Sequence, residues 1–270
     1  MHASFIASLA CGKIPIVSHI HNNAFDSRTI NKKSIAYAVS AMKAKYIFWV
    51  SRSAFDGYRF HNWFKGKSRV LYNVIDINQL YEKMEMDTAK YGYDVIYMGR
   101  LTFQKNPQRL IKVIRLAIKR KPDLTVAIVG TGELEAETKK LVEEYGLENS
   151  IKFKGYQPNP LKMLHDSKVM LMTSRWEGTP MCVLEAMALG VPIVSTPTDG
   201  IKDLIHDGEN GYLSDTDEEL AARLVQIVED KAERVRLSKK QIADATEYNR
   251  TDLYRDAIIS VYSDILNNRK

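Results

Sequence analysis

The chain has 270 residues, of which 45% are hydrophobic and 27% charged, a balance typical of folded globular proteins that excludes a disordered chain. No apolar run reaches the roughly 20 residues that cross a bilayer, and the apolar N-terminal stretch lacks a basic start, so the sequence predicts a cytoplasmic protein. Cys11 and Cys182 belong to no disulfide or zinc pattern and are predicted to be small buried residues.

The net charge of +6 is concentrated at the start of the chain. Residues 1–80 hold 11 Lys and Arg against 3 Asp, a formal charge of +8. The stretch HNWFKGKSR mixes aromatic residues with cations, which favours contact with anionic lipid or a phosphorylated substrate. A solvated basic surface explains the charge equally well. Nucleic acid is a weaker candidate, because no nucleic-acid-binding motif accompanies the charge.

Short apolar strands alternate with helical patterns along the chain. The first part has predicted strands at 14–20, 45–50 and 68–72 and predicted helices near 28–43 and 52–63. The later part has predicted strands at 94–99, 124–130, 151–155, 168–174, 191–196 and 211–214, with helices that include 106–121 and 134–145. Apolar residues at helical spacing predict a last helix over 251–270. Polar residues between the two parts predict a linker at 81–93.

This alternation predicts a doubly wound α/β fold. Continuous apolar strands, each followed by a helix, indicate a parallel sheet that is covered on both faces. The sequence predicts one such domain over 94–250 and a partial α/β domain over 1–80. In this class of fold, ligands lie beyond the carboxyl ends of the strands.

Two carboxylates mark the stretch RWEGTPMCVLEAMALGVPIVS. Glu177 follows a predicted central strand, where substrate is expected, although loop glutamates are more often solvated. Glu185 lies in a helix that Thr179 is predicted to cap, with Pro180 as its first residue. Apolar residues are predicted on every side of this helix, so the Glu185 carboxylate needs hydrogen-bond donors, either from a ligand such as a ribose or from within the protein.

Two other loops point to phosphate. GRLTFQKN presents Arg100 and Lys105 after a strand, where a pair of cations suits a diphosphate, although two surface cations are the simpler explanation. VGTGELE supplies Gly130 and Gly132, which allow the backbone to approach a ligand closely. The GTG pattern alone is a weak signal.

These motifs together resemble a known enzyme family. GRLTFQKN, IVGTGELE, IKFKGY, SRWEGTPMCVLEAMALGVPIVSTPTDGIKDLI and GENGYL, in this order, resemble the retaining nucleotide-sugar glycosyltransferases of family 4. The likeness is close over 94–230 and looser before it, where VLYNVID has Val74 in place of the family's usual glycine. It implies the GT-B fold, with a complete C-terminal Rossmann-like domain, an acceptor domain shortened at its start, and a terminal helix that packs back toward that domain.

The resemblance also implies roles for particular residues. Glu177 and His21 would be catalytic, although without the resemblance His19 and His21 would be interpreted as structural. Arg100 and Lys105 would hold the donor diphosphate, and Glu185 the ribose hydroxyls. The remaining contacts would come from a nucleotide loop at Gly130, Gly132 and Phe153 to Gln157, and from a sugar loop at Gly178, Thr179 and Pro180.

The implied reaction is transfer of a sugar, with retention of configuration, from a UDP-, GDP- or ADP-sugar to a saccharide or lipid-linked acceptor. It would serve surface polysaccharide or glycan synthesis, at the inner face of the membrane, without a metal or other cofactor. A partner chain could supply the missing half of the acceptor domain. The alternatives are a partner-requiring or non-catalytic nucleotide-sugar-binding subunit and a nucleotide-sugar epimerase.

The sequence Asp215-Thr216-Asp217 has the form of a metal-binding pair in the other major glycosyltransferase fold. Here it opens a helical run, so it is predicted to begin a helix with a capping box completed by Glu218 or Glu219.

Overall fold

The computed structural model describes residues 2–21 and 25–267. The chain divides into two compact units. Unit 1 comprises Met1–Val74, Trp176–Thr179 and Arg250–Lys270, and unit 2 comprises Ile75–Arg175 and Pro180–Asn249. The chain thus contributes to unit 1 in three separate segments.

Unit 1 contains a three-stranded parallel sheet of order β1-β2-β3. Its elements before residue 75 are α1 (His2–Ala10), β1 (Ile16–Ile20), a 3-10 turn (Phe25–Arg28), α2 (Lys32–Lys43), β2 (Ala44–Trp49), α3 (Arg52–Asp56), a second 3-10 segment (His61–Lys67) and β3 (Ser68–Val70). The core is strongly aromatic, with Tyr37, Trp49 and Tyr58 almost fully buried.

The predicted helix over 52–63 is interrupted in the structure. The helix α3 ends at Asp56, and Gly57 occupies its C-cap. Tyr58 then turns inward, where its ring packs 5.5 Å from that of Trp49 and its hydroxyl donates to the carbonyl of Ser34 at 2.9 Å. Burial of a large aromatic ring with its hydroxyl satisfied outweighs the continuation of one short helix.

Unit 2 contains a six-stranded parallel sheet of order β6-β5-β4-β7-β8-β9. This order reverses direction between β4 and β7, which is the topological switch point of a Rossmann-like fold. Its elements are α4 (Ile77–Glu85), β4 (Val95–Met98), α5 (Pro107–Arg120), β5 (Val126–Val129), α6 (Glu135–Glu144), β6 (Ile151–Gly155), α7 (Leu161–His165), β7 (Val169–Met172), α8 (Met181–Ala188), β8 (Ile193–Ser195), α9 (Asp199–Lys202), β9 (Tyr212–Leu213), α10 (Asp217–Glu229) and α11 (Lys231–Tyr248).

The two faces of this sheet have separate apolar cores. Along β4, Val95 and Tyr97 face the core that includes residues of α5 and α10, whereas Ile96 and Met98 face the core that includes residues of α4 and α8. All four residues of β4 are buried. Burial on both faces explains why the strands are continuous apolar runs in the sequence.

The predicted domain boundary at residue 80 and the linker at 81–93 differ from the structure. Residues 77–85 form α4, whose Leu80 and Met84 are buried in the core of unit 2. Two buried apolar side chains on one helix face contribute about 1.5–3 kcal/mol each. A helix anchored in this way is part of the domain, and the boundary between the units lies after Val74.

The last helix, α12 (Thr251–Asn267), belongs to unit 1. Ala257 and Val261 from its predicted apolar stripe are buried, whereas Leu253 is 57% exposed. The predicted helix extended to residue 270, and residues 268–270 lie outside the described ranges. Within those ranges, no helix has both the length and the apolar character needed to cross a membrane. Cys11 and Cys182 are free thiols and only half-buried, so the prediction that both are core residues is wrong.

Candidate functional site

The loops at the carboxyl ends of β4, β5 and β6 are joined through their backbones. Gly99 N–H donates to the carbonyl of Val129 at 3.0 Å. Gly130 N–H donates to the carbonyl of Gly155 at 2.7 Å. Because each bond links neighbouring strands just where they end, the predicted ligand-binding loops of unit 2 share one defined backbone arrangement beside the switch point.

Gly130 and Gly132 are required by the contact between these loops. Gly130 has a φ of +125°. A Cβ on it would lie 2.1 Å from the carbonyl oxygen of Gly99, and a Cβ on Gly132 would lie 2.3 Å from that of Leu101. Neither position admits a side chain. The close approach expected toward a ligand is made toward the neighbouring loop, and ligand contact by the two glycines stays a prediction.

Arg175, which the sequence analysis missed, holds the loop between β4 and α5. Its Nε donates to the carbonyl of Phe103 at 3.1 Å, and its Nη2 donates to Oδ1 of Asn106 at 2.9 Å. The guanidinium also lies 4.3 Å from the centre of the Phe103 ring. Asn106 is buried in a left-handed conformation, with φ 55° and ψ 56°. The planar guanidinium therefore fixes a strained turn, and only the position of an arginine three residues after β7 hinted at it.

Arg100 and Lys105 both lie in the loop that Arg175 holds. Arg100 is exposed, and its carbonyl accepts a 3.0 Å hydrogen bond from the Tyr97 hydroxyl. Lys105 is half-buried, and its Cε would lie 3.7 Å from a Cβ built on Gly99. The structure thus brings the two cations to one loop at the carboxyl end of β4, and phosphate binding by them stays a prediction.

Glu185 lies on α8, a helix that is open on one side. Val183 and Leu184 are fully buried, but Met181 is 43% exposed and Cys182 is half-buried. Apolar residues do surround Glu185 on this helix, as predicted, but the side with Met181 is exposed rather than covered. Met181 and Glu185 are four residues apart and share the open side.

The carboxylate of Glu185 is poorly compensated within the protein. Burial raises the pKa of Glu185 above its ordinary value, and the nearby charge of Lys83 offsets part of the increase. No hydrogen bond to the carboxylate from the described residues stabilises its ionised form. Of the two interpretations that the sequence left open, this favours a ligand as the source of donors over satisfaction within the protein.

Thr179 does not cap α8, and that prediction is wrong. Its hydroxyl donates to the carbonyl of Val50 at 2.7 Å, and its own carbonyl accepts a hydrogen bond from the Asn73 amide at 3.0 Å. Both bonds lie within unit 1. Pro180 takes the N-cap position, without a side-chain capping bond. The hydroxyl is used to anchor residues 176–179 to unit 1, so it is not available to the helix.

Glu177 and His21 both belong to unit 1. Glu177 is 4% exposed, and Gly178 beside it is also buried. His21 is exposed at the carboxyl end of β1, and its ring is nearly parallel to that of His19, with centres 6.1 Å apart. Burial and the neighbouring His21 lower the pKa of His19.

The predicted site residues are therefore divided between the units. Unit 1 holds His21, Glu177, Gly178 and Thr179. Unit 2 holds Arg100, Lys105, Gly130, Gly132, Phe153, Gln157, Pro180 and Glu185.

The predicted nucleotide loop over Phe153 to Gln157 begins later than expected. Strand β6 continues through Gly155, and Phe153 pairs with Ile128 in the sheet. Only residues after Gly155 leave the sheet, where the Gln157 amide donates to the carbonyl of Lys154 at 2.7 Å. Phe153 instead packs against the apolar core of the sheet, as an alternating strand position would.

Asp215 and Asp217 hold a loop and a helix together. Nε of Arg109 donates to Oδ1 of Asp217 at 2.6 Å, and its guanidinium also donates to the carbonyl of Asp215. Thr216 is the N-cap of α10 but makes no side-chain capping bond, so the predicted capping box is wrong. Across residues 2–21 and 25–267, no group of three His, Cys, Asp or Glu side chains could hold a metal ion.

Comparison with known proteins shows the family to which the chain belongs. Residues 85–244 match the family model described as Glycosyl transferases group 1. The chain is 29% identical over 161 residues to a poly(glycerol-phosphate) alpha-glucosyltransferase of Bacillus subtilis, covering 58% of this chain and 24% of the relative. It is also 29% identical over 195 residues to an N-acetylgalactosaminyltransferase of Campylobacter jejuni whose name includes a diphospho-undecaprenol acceptor, covering 71% of this chain and 53% of the relative. The chain thus spans about half or less of these relatives.

Two solved structures share the fold. TarM of S. aureus, in complex with Fondaparinux, alpha-GlcNAc-glycerol and UDP, superposes with a TM-score of 0.80 at 24% identity, covering 92% of this chain and 50% of that one. HepE of Anabaena, in complex with UDP and glucose, gives a TM-score of 0.83 at 21% identity, covering 97% of this chain and 75% of that one. At these identities the likeness shows the GT-B fold alone.

Proposed function

The chain belongs to the group 1 glycosyl transferases, and we propose that it transfers a sugar from a nucleotide-diphosphate sugar to an acceptor. The observation that carries this proposal is Glu185, a half-buried carboxylate whose pKa is raised by burial and which accepts no hydrogen bond from the described residues. A ribose would supply two hydroxyl donors to it. Arg100 and Lys105 occupy one loop at the switch point of the same unit, where a diphosphate would meet two cations.

The role proposed for Arg100 and Lys105 is stabilisation of the leaving group. Negative charge develops on the diphosphate as the glycosidic bond breaks, and cations already in position reduce the cost of that charge. Arg175 acts as a positioning residue, because it fixes the loop that carries them. We assign Glu177 and His21 to the transferred sugar, with Gly178, Thr179 and Pro180 in the sugar loop, and we expect retention of configuration without a metal.

The acceptor is proposed to be a saccharide or a lipid-linked saccharide. Support comes from the names of the Bacillus subtilis and Campylobacter jejuni relatives, which include phosphate-bearing and polyprenyl acceptors. The +8 formal charge of residues 1–80 favours such an acceptor. In unit 1, Trp63 is 69% exposed beside Phe60, with ring centres 4.8 Å apart, a pairing suited to a membrane interface.

A second candidate is a subunit that binds a nucleotide sugar but requires a partner for transfer. It is favoured by exposed apolar side chains in unit 1, where Ile6 and Leu9 of α1 are 59% and 65% exposed and Met42 of α2 is 59% exposed. In the described sheet, β1 pairs with β2 alone. Further polypeptide carrying a strand and apolar side chains would cover both features.

One titration series tests the proposal. Calorimetry of the full chain with UDP, GDP and ADP at up to millimolar concentration should detect one preferred nucleotide diphosphate. The same nucleotide in sugar-linked form is then incubated with saccharide and lipid-linked acceptors. Binding without transfer favours the partner-requiring subunit, whereas the absence of binding by all three nucleotides would refute both candidates. Partition onto anionic but not neutral vesicles at low salt tests the membrane contact.

A further inference from the structure

A cavity of about 680 Å³ lies within unit 1, and none of the predicted site residues lines it. It is lined by the turn between α1 and β1, the junction of α2 with β2, and residues 264 and 265 of α12. Pro15, in its wall, precedes β1, whereas His21 follows that strand. Six residues at about 3.3 Å each separate these positions by roughly 20 Å. The cavity therefore lies at the amino-terminal ends of the strands of the three-stranded sheet, whereas His21 lies at their carboxyl ends.

The walls of the cavity carry a marked excess of positive charge. Lys13, Lys43 and Lys45 line it together with a single carboxylate, Asp264. Nζ of Lys43 donates to the carbonyl of Ser8 at 2.9 Å, which holds one of the three ammonium groups in place. Among the ion pairs of the described residues, none involves these three lysines or Asp264.

A fourth lysine, Lys67, adds positive charge near the cavity without lining it. Nζ of Lys67 donates to the carbonyls of Met42 and Ala44, at 3.0 and 2.7 Å. These bonds neutralise acceptors at the carboxyl end of α2, which would otherwise repel an anion. Burial lowers the pKa of Lys67, and repulsion from Lys45 lowers it further. A bound anion would reduce the repulsion between like charges that are held close together in this way.

We propose that this cavity binds a phosphate-bearing ligand, with Lys13, Lys43 and Lys45 as its cationic contacts. The volume falls within the range of about 300–1,000 Å³ that is usual for small-molecule sites. Ammonium groups bind phosphate oxygens by charge-assisted hydrogen bonds. Ile14 and Ile265 give the cavity an apolar side, and Asp264 can accept hydrogen bonds from ligand hydroxyls. A phosphorylated sugar or the headgroup of an anionic lipid has this combination of groups.

The thiol of Cys11 provides a local readout, because it lines the cavity and is half-buried. Its alkylation rate in the full chain is followed by mass spectrometry, with Cys182 of unit 2 as the internal reference. All samples contain saturating UDP, so that binding of phosphate in unit 2 does not contribute. The probes are glucose 1-phosphate, glucose, and vesicles of phosphatidylglycerol or phosphatidylcholine.

Glucose 1-phosphate at millimolar concentration should slow alkylation of Cys11 at least about threefold and leave Cys182 unchanged, whereas glucose should have no effect. Protection by phosphatidylglycerol vesicles alone assigns the phosphate to a lipid headgroup, and protection by glucose 1-phosphate identifies a soluble source. Either supports the site. Equal protection by glucose, or no protection by glucose 1-phosphate and phosphatidylglycerol alike, overturns it.

Two lysine variants and one aspartate variant give the electrostatic test. Lys13→Gln and Lys45→Gln should each weaken protection about five- to tenfold, and Asp264→Asn should strengthen it. Lys112→Gln, an exposed position on α5 in unit 2, is the matched control and should change nothing. Protection that is insensitive to both cavity lysines would also overturn the proposal. The result is independent of the proposed transferase activity, which is read from UDP binding and sugar transfer.

Discussion

Replacement of Glu185 by Gln separates a ligand-binding carboxylate from a structural one. Gln keeps the size of the side chain and removes its charge. If the ionised carboxylate accepts hydrogen bonds from a ribose, Glu185→Gln should weaken the binding of UDP and of the UDP-sugar alike, because both contain the ribose. A carboxylate that only supported the fold would leave these affinities unchanged below the melting temperature.

The magnitude follows from the environment of the side chain. Burial without hydrogen-bond donors already raises the pKa of Glu185, so the hydrogen bonds gained on ligand binding are charged and partly shielded from water. Such bonds are worth about 1.5–3 kcal/mol, which corresponds to roughly a 10- to 150-fold loss of affinity. Calorimetry at fixed pH and salt would resolve a change of this size.

A comparison of UDP with 2′-deoxy-UDP, for the unmodified protein and for Glu185→Gln, tests whether the ribose binds Glu185. The loss caused by Glu185→Gln should be markedly smaller with 2′-deoxy-UDP than with UDP, because one donor is absent from the ligand. Glu148→Gln, at an exposed position of unit 2, serves as the matched charge control. Equal losses with both ligands, or no loss with either, would refute the assignment of Glu185 to the ribose.

The raised pKa of Glu185 also fixes the sign of two pH effects. UDP affinity should fall as the pH drops through this raised pKa, because the carboxylate becomes protonated, and Glu185→Gln should abolish that dependence. Without ligand, the folded chain binds this proton more readily than the unfolded chain, so stability falls as the pH rises from the unfolded to the raised value. Glu185→Gln should therefore stabilise the ligand-free protein at neutral pH, as measured by urea unfolding.

Four other substitutions test separate parts of the reasoning. Glu177→Gln should leave UDP affinity unchanged and weaken binding of the UDP-sugar. If Glu177→Gln instead abolished UDP binding while Glu185→Gln did not, the roles assigned to the two carboxylates would be reversed. Arg175→Lys should lower UDP affinity about tenfold by calorimetry, because an ammonium cannot replace the planar fork that holds the β4–α5 loop; unchanged affinity would exclude the positioning role. Gly130→Ala should lower the free energy of unfolding by at least about 3 kcal/mol, whereas Gly92→Ala, where a Cβ meets nothing within 4 Å, should change it by less than about 0.5 kcal/mol. Asp217→Asn should leave UDP affinity within about twofold, with or without EDTA, and a metal-dependent change would contradict the structural role of this aspartate.

Much of unit 2 could be predicted from the sequence because its determinants are local. The four inner strands of the large sheet, β4, β5, β7 and β8, are buried on both faces, so each appears as a short apolar run. The helices between the strands follow from residue spacing. The loops that follow β4 and β7 carry Arg100, Lys105 and Glu177, and their place at strand ends could be predicted from the same pattern. The order of the strands, with β4 beside β7, needed the tertiary structure.

The functions of several side chains depended on contacts that sequence spacing does not encode. Thr179 looked like a helix cap, but its hydroxyl bonds to the carbonyl of Val50, 129 positions away. Arg175 was given no role from the sequence, but it bonds to Phe103 and Asn106, about 70 positions away.

The apolar strands, the helices and the motifs of the family could be recognised from the order of amino acids, because each depends on residues close together in the chain. That no hydrogen-bond donor of the described residues reaches Glu185, and that the loop after β4 crowds Gly130, could be seen only in the assembled fold. Hydrogen-bond partners and burial depend on elements that meet only after the sheet has assembled. The same reason explains why the lysine-lined cavity of unit 1 had no signature in the sequence: its walls come from residues 11–15, from residues 43 and 45, and from residues 264 and 265.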